Sequence, residues 1–169
     1  EVYNASGSDI NLYGLQVGDG GSDSFTVNSY LALESGDYAV LAARDVASQN
    51  GGIPSVDFRY YYDDFKIGPS DSIVLSSSSG TIDSVSYSTD SGFPSQSGAT
   101  VSLLSADAED NDSGGWWCIS TTAYGDGDLG TPRSPNDGCA TSSGSLSAGD
   151  LLISEIMSDP SAVADYKGE

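Results

Sequence analysis

Apolar residues come in short runs along this chain, and the gaps between them are rich in serine, glycine and aspartate. Runs of that kind, bounded by turn formers, predict strands rather than helices. Glu1-Val2-Tyr3-Asn4 reads as a strand, followed by a turn at Ala5-Ser6-Gly7-Ser8-Asp9. Ile10, Leu12, Leu15 and Val17 alternate with polar neighbours, and Gly14 among them predicts a bulge or a close backbone approach. Further strands are predicted over residues 24–27 and 30–33. Residues 38–43 are almost continuously apolar, the signature of a central strand buried on both faces. Residues 44–54 read as a surface loop with one helical turn over 45–48, and Val56-Asp57-Phe58 opens a strand that runs towards Phe65.

Two runs, residues 72–76 and 81–87, flank Ser77-Ser78-Ser79-Gly80 and predict a β-hairpin with Ile82, Val85 and Tyr87 facing the core. Residues 100–105 predict a strand with Val101 and Leu103 on one face. An acidic loop over 107–115 and a short strand over 116–120 follow, then a long Gly/Asp/Pro connection over 121–138. Residues 140–149 are small and polar, the composition of a flexible linker, which at about 5–6 Å × √n spans roughly 16–19 Å on average. Beyond it, Leu151, Leu152, Ile153, Ile156 and Met157 form an apolar strand that Asp159-Pro160 stops, because proline lacks the N–H that a ladder needs. So short a strand must complete a sheet, in its own chain or in a neighbour. The expected organisation is a β-sandwich body over 1–139, the linker over 140–149 and the terminal strand and loop over 150–169.

Composition narrows the function. The 169 residues include 25 acidic and 5 basic side chains, a formal charge of −20. Such a surface repels nucleic acid and anionic membrane, so neither is an expected partner. The chain has no histidine, which removes Ser-His-Asp and Cys-His chemistry and the commonest zinc ligand. No catalytic motif is present, and carboxylate pairs cannot be placed at glycosidase separations from sequence spacing. The expectation is a non-enzyme. Cys118 and Cys139 are an even pair in a Ser/Gly-rich chain, which predicts a disulfide and a secreted or cell-surface location; two unrelated small thiols are the alternative. Closing that loop contributes roughly 3 kcal/mol in the chain-entropy account. The sequence carries neither a secretory leader nor an apolar transmembrane run, as expected of a mature or trimmed segment.

Three kinds of candidate site remain. Asp107, Glu109, Asp110 and Asp112, or Asp126 with Asp128, offer the carboxylates that calcium takes among its roughly six to eight oxygen ligands. Asp63 with Asp64, and Asp19 with Asp23, offer the same. None has EF-hand spacing, and a solvated acidic loop is the simpler reading of each. Tyr60-Tyr61-Tyr62 with Phe65, or Trp116-Trp117, could form an aromatic platform for glycan. Alternation along a strand lets at most two of the three tyrosines share a surface, and one tryptophan should be core and the other exposed. Asn4-Ala5-Ser6 and Asn111-Asp112-Ser113 fit the glycosylation sequon, which chance also produces.

Several of these segments together resemble the lamin tail domain family. Leu152-Ile153-Ser154-Glu155-Ile156-Met157 is similar to the family's opening "L-x-I-S-E-I-M", Glu1-Val2-Tyr3-Asn4 to its second strand, and Ile10-Asn11-Leu12-Tyr13-Gly14-Leu15 to its third. Gly36-Asp37-Tyr38-Ala39-Val40-Leu41-Ala42 resembles its central strand, and Ile73-Val74-Leu75 with Val85-Ser86-Tyr87 its later hairpin. Gly130-Thr131-Pro132-Arg133-Ser134-Pro135-Asn136 resembles its closing "G-T-P-G-x-P-N". The order departs from the family, whose first strand stands last here, so the chain reads as a circular permutation, natural, engineered or cut from a tandem array. The resemblance implies an all-β, immunoglobulin-like β-sandwich of about eight to ten strands, generally non-catalytic. The function expected is an extracellular structural module that polymerises head to tail by donating its C-terminal strand to neighbouring copies. The alternative is a ligand- or surface-binding accessory domain of a larger secreted nuclease or adhesin, folding as a self-complemented monomer.

Overall fold

The computed structural model describes residues 1–104 and 111–138. It is an all-β protein built of short, mainly antiparallel strands, with helix confined to single 3₁₀ turns among the described residues. The largest sheet has four strands. Strand β3 (Gln16–Gly18) pairs with β4 (Ser24–Thr26) on one side and β9 (Asp71–Ser77) on the other, and β9 forms a hairpin with β10 (Gly80–Tyr87). Around it lie two-stranded pairs. β1 (Val2–Tyr3) joins β6 (Tyr38–Ala39), β2 (Ile10–Asn11) joins β5 (Ala32–Leu33), and β7 (Leu41–Ala42) runs parallel to β8 (Phe58–Arg59). Towards the C-terminal side, β11 (Val101–Leu103) pairs with β12 (Trp117–Ile119), and β13 (Ala123–Tyr124) with β14 (Asp128–Leu129).

The core is where these sheets meet. Val17 and Phe25 come from the large sheet, Leu33 from the β2–β5 pair and Ala39 from the β1–β6 pair; with Leu12, Leu15, Val27 and Phe65 they form one buried cluster. Phe25 organises it: Tyr60 stacks on its ring at 4.3 Å and Phe65 meets it edge-on at 5.7 Å, geometries that favour aromatic pairs beyond simple burial. A second, smaller cluster forms round buried Phe93, with Tyr87 at 6.4 Å and Trp117 at 5.9 Å.

Several local expectations are corrected. The apolar run over 38–43 is not one strand buried on both faces. It is two short strands that exchange partners at Val40, from antiparallel β1 to parallel β8, and only Ala39 and Val40 in it are buried. The switch is held by Asp57, whose carboxylate accepts the Val40 N–H at 2.9 Å while its own N–H donates back to the Val40 carbonyl at 2.9 Å. Ile82 does not face the core. Period-2 alternation sets Asp83, Val85 and Tyr87 on the half-buried face and Ile82 on the opposite one, at 62% exposure, beside a register shift between Thr81 and Asp83. In β11 Val101 and Leu103 do share a face, but the buried residue is Ser102 between them, and Val101 is exposed. Gly14 serves a turn, with φ of 87° and open space beside its Cα, rather than a close approach. The helical turn of the 44–54 loop sits at Ala47–Gln49. The connection over 121–138 contains the β13–β14 hairpin, which periodicity could not reveal because each arm has two residues. That hairpin docks by glycine: a Cβ on Gly52 would stand 2.6 Å from the Cα of Gly125.

Candidate functional site

Among the described residues strand β1 has a partner on one side only. Its sheet there consists of β1 and β6, and no described strand lies on the other edge of Val2–Tyr3. Asn4, just beyond the strand, receives the Gly36 N–H on its carbonyl and donates its own N–H to Asp37, each at 3.0 Å. Since backbone groups alternate direction along an antiparallel strand, those of Tyr3 point to that other edge. Val2 packs against the main cluster and is partly buried, as are Ile10 and Leu41 elsewhere around it.

Asn4 fixes the position of that edge. It is 2% exposed, and its amide nitrogen lies 2.9, 3.0 and 3.0 Å from the carbonyls of Ser8, Leu33 and Glu34. Its Oδ1 accepts the Ser6 N–H at 3.0 Å and the Ser6 hydroxyl at 2.7 Å. The Asn-x-Ser sequence therefore encodes a buried Asx turn that ties β1 to the β5–β6 turn. The same holds in part for Asn111, whose amide donates to Asp83 at 2.9 Å and whose carbonyl accepts the Trp117 indole N–H at 2.7 Å.

The closing Gly130-Thr131-Pro132-Arg133 segment returns to this edge. The Arg133 N–H donates to the Glu1 carboxylate at 2.6 Å, and its guanidinium contacts Asp57 at 3.3 Å and the Ser55 hydroxyl at 3.2 Å. Arg133 has φ of 61°, the left-handed region that favours glycine, and it stands where the resembled motif has glycine. Burial raises the Glu1 carboxyl above its ordinary value, against the opposing pull of the Arg133 N–H. Beyond it, the Asn136 amide donates to the Leu103 carbonyl at 2.8 Å. The Asp137 carboxylate then accepts from the Ser120 hydroxyl, the Thr121 N–H and the Thr122 N–H at 2.6 Å each, and from the Thr121 hydroxyl at 3.1 Å. The Ser120 hydroxyl and the two backbone N–H groups hold this carboxyl well below the usual range, against a smaller opposing desolvation. Asp137 thus fixes the end of the described chain against Ser120–Thr122. Sequence reasoning missed both Asp137 and Arg133; only the resemblance of the closing motif marked that stretch at all.

The structure places the sequence-derived candidates unevenly. Leu151, Leu152, Ile153, Ile156 and Met157, the linker over 140–149, Cys139, and Asp107, Glu109 and Asp110 lie outside the described residues. Cys118, in β12, is not a free thiol. Asp112, Asp126 and Asp128 are described, and no group of three or more acidic or cysteine side chains able to hold a metal occurs among the described residues. The aromatic platform is divided. Tyr60 and Phe65 belong to the core, whereas Tyr61 and Tyr62 are 70% and 54% exposed. Trp117 packs on Phe93 and Trp116 is exposed. No helix among the described residues is long and apolar enough to cross a membrane. Comparison with protein families, curated proteins and solved structures finds no match for this chain.

Proposed function

We propose that the chain is a non-catalytic, extracellular structural module, similar to a permuted lamin tail domain, that assembles head to tail by donating its terminal strand. The observation that carries this reading is the edge of β1 that no described strand covers, with Val2 of that strand packed against the core. An incoming strand there gains main-chain hydrogen bonds from the ladder and side-chain pockets at alternate positions. Residues 151–157 have the apolar sequence for that role, and they follow Asp137 by a stretch long enough to reach a neighbouring copy. A contact between unlike surfaces on identical subunits propagates unless it closes into a ring. The reading pairs Cys118 with Cys139, which would fasten the root of the donated segment to β12. Calcium and glycan enter it as auxiliary ligands without an assigned site.

The test is size-exclusion chromatography with light scattering, and negative-stain imaging of any large species. Donation predicts oligomer ladders or fibres, with Ile153→Asp abolishing assembly and leaving a folded body. A monodisperse 17.3 kDa species whose melting collapses on Ile153→Asp would refute donation in favour of a self-complemented accessory module. A variant unchanged in both assembly and melting would refute the strand assignment itself.

A further inference from the structure

The chain has six asparagines, at positions 4, 11, 28, 50, 111 and 136, and Asn50 alone is followed by glycine. The pair lies in the loop that carries the Ala47–Gln49 turn, and both residues are partly exposed. The Asn50 and Gly52 N–H groups donate to the Ala47 carbonyl at 3.3 and 2.9 Å, whereas the Gly51 N–H between them has no acceptor among the described residues. The Asn50 side chain ties the loop together: Nδ2 donates to the Arg44 carbonyl at 3.2 Å, and Oδ1 accepts the Ile53 N–H at 3.0 Å. The loop is also the seat of the β13–β14 hairpin. The Gly51 carbonyl accepts the Asp126 N–H at 3.1 Å, and Gly52 packs directly on Gly125.

We propose that Asn50 is a site of spontaneous deamidation, with water as co-reactant, and that the change loosens the docking of the β13–β14 hairpin. The reaction needs a carboxamide carbon, a following backbone nitrogen that is not engaged, and no side chain on the following residue to crowd the ring. Asn50-Gly51 supplies all of these, glycine having no Cβ. The Gly51 nitrogen gives its proton to hydroxide and bonds to Cγ of Asn50. The Cγ–Nδ2 bond breaks, and that nitrogen leaves as ammonia with a proton taken from water. Water then opens the cyclic imide at either carbonyl, leaving aspartate or isoaspartate. In the folded loop Asn50 has ψ of 19°, which sets the Gly51 nitrogen well outside the plane of that ring. Closure therefore waits on local opening of the loop, which the two side-chain hydrogen bonds of Asn50 restrain. Either product replaces the Nδ2 donor by a carboxylate oxygen facing the Arg44 carbonyl, so one bond of the loop becomes a repulsion. It also adds a negative charge beside the hairpin's own acids; a Cβ on Gly51 would stand 3.1 Å from Asp128 Oδ2. Isoaspartate further inserts a methylene into the main chain just before the Gly52–Gly125 contact, where there is no room for an added carbon. The inference does not depend on strand donation.

The experiment is tryptic peptide mapping by mass spectrometry on the full chain aged in mildly alkaline buffer, beside a guanidinium-unfolded sample, Asn50→Gln and Asn50→Asp. The peptide over residues 45–59 holds Asn50 as its single asparagine. It should gain the mass difference between an acid and an amide, faster at higher pH, and be labelled by isoaspartyl methyltransferase. The peptides that hold the other asparagines should lag behind it. Unfolding should speed the change, and Asn50→Gln, which would need a larger ring, should resist it. Amide hydrogen exchange over residues 123–129 should rise roughly tenfold in the aged protein and in Asn50→Asp. The aged wild type carries that readout if circular dichroism shows Asn50→Asp unfolded. Four results would overturn the proposal. They are a folded sample unmodified at 45–59 while the unfolded one reacts, equal rates in the two, modification spread evenly over all the asparagines, and a modified Asn50 with hairpin exchange unaltered.

Discussion

Replacing Asn4 by alanine should be among the most destabilising single changes in the body of this protein. The side chain is 2% exposed and serves three backbone carbonyls, Ser8, Leu33 and Glu34, at 2.9–3.0 Å. Two amide hydrogens shared among three acceptors make the contacts only partly additive. Each buried carbonyl left without a donor costs about 1–3 kcal/mol, and partial access to water at the Ser8 and Glu34 carbonyls reduces the sum. The expected loss is about 3 kcal/mol, or roughly 6–12 °C in melting temperature for a domain of this size. Asn4→Asp should be worse, because a carboxylate in that cradle would face three carbonyl oxygens with no hydrogen to offer, and its destabilisation should shrink as pH falls and the acid protonates. Urea unfolding followed by tryptophan fluorescence measures both. A loss below about 1 kcal/mol for Asn4→Ala, or an Asn4→Asp variant with the stability of the wild type at neutral pH, would refute the claim that this turn positions β1.

Two further predictions concern ionisation. Asp137 is held below its ordinary value by its hydrogen bonds, so its stabilisation is present above about pH 4, where the unfolded carboxyl is ionised, and is lost as pH falls through the depressed folded value. Asp137→Asn, which places an NH₂ against N–H donors, should cost about 1–3 kcal/mol at neutral pH after allowance for partial exposure, and the cost should fade in acid; a pH-independent loss measured by chemical unfolding would sink the argument. Tyr87 is pushed up to about 12 by burial and by the nearby Asp71 charge, while its hydroxyl donates to the Gly68 carbonyl at 2.8 Å. Its contribution is complete below the ordinary tyrosine value near 10 and is lost as pH rises through about 12; burial also raises Tyr38, Tyr60 and Tyr124, so tyrosinate absorbance should show several late-titrating groups, of which Tyr87→Phe removes one.

The all-β class was legible because every apolar run is short and ends in turn formers, and the β9–β10 hairpin was legible because both of its arms are long enough to alternate. What escaped is what two-residue strands conceal. β13 and β14 carry too few residues for any period to register, and the break at Val40 depends on Asp57, a residue 17 positions away whose role no local pattern announces. Ile82 stands three and five positions from Val85 and Tyr87, so strict alternation already sets it on the other face, and its hydrophobicity masked that parity. At the candidate site, the Asn-x-Ser triplet read equally well as a sequon or as a turn, and only burial separates the two. Arg133 and Asp137 escaped because their partners, Glu1 and Ser120, are far away in sequence, at separations of 132 and 17.

The clasp formed by Arg133 has a consequence for assembly. By holding Glu1, it keeps the root of the C-terminal segment beside the edge that segment is proposed to fill. A strand returning to its own β1 meets an effective concentration of about the millimolar range, set by the length of chain that joins them, whereas a neighbour's edge is present at the protein's bulk concentration. Donation therefore prevails only where geometry prevents the strand from turning back, or where copies are first brought together.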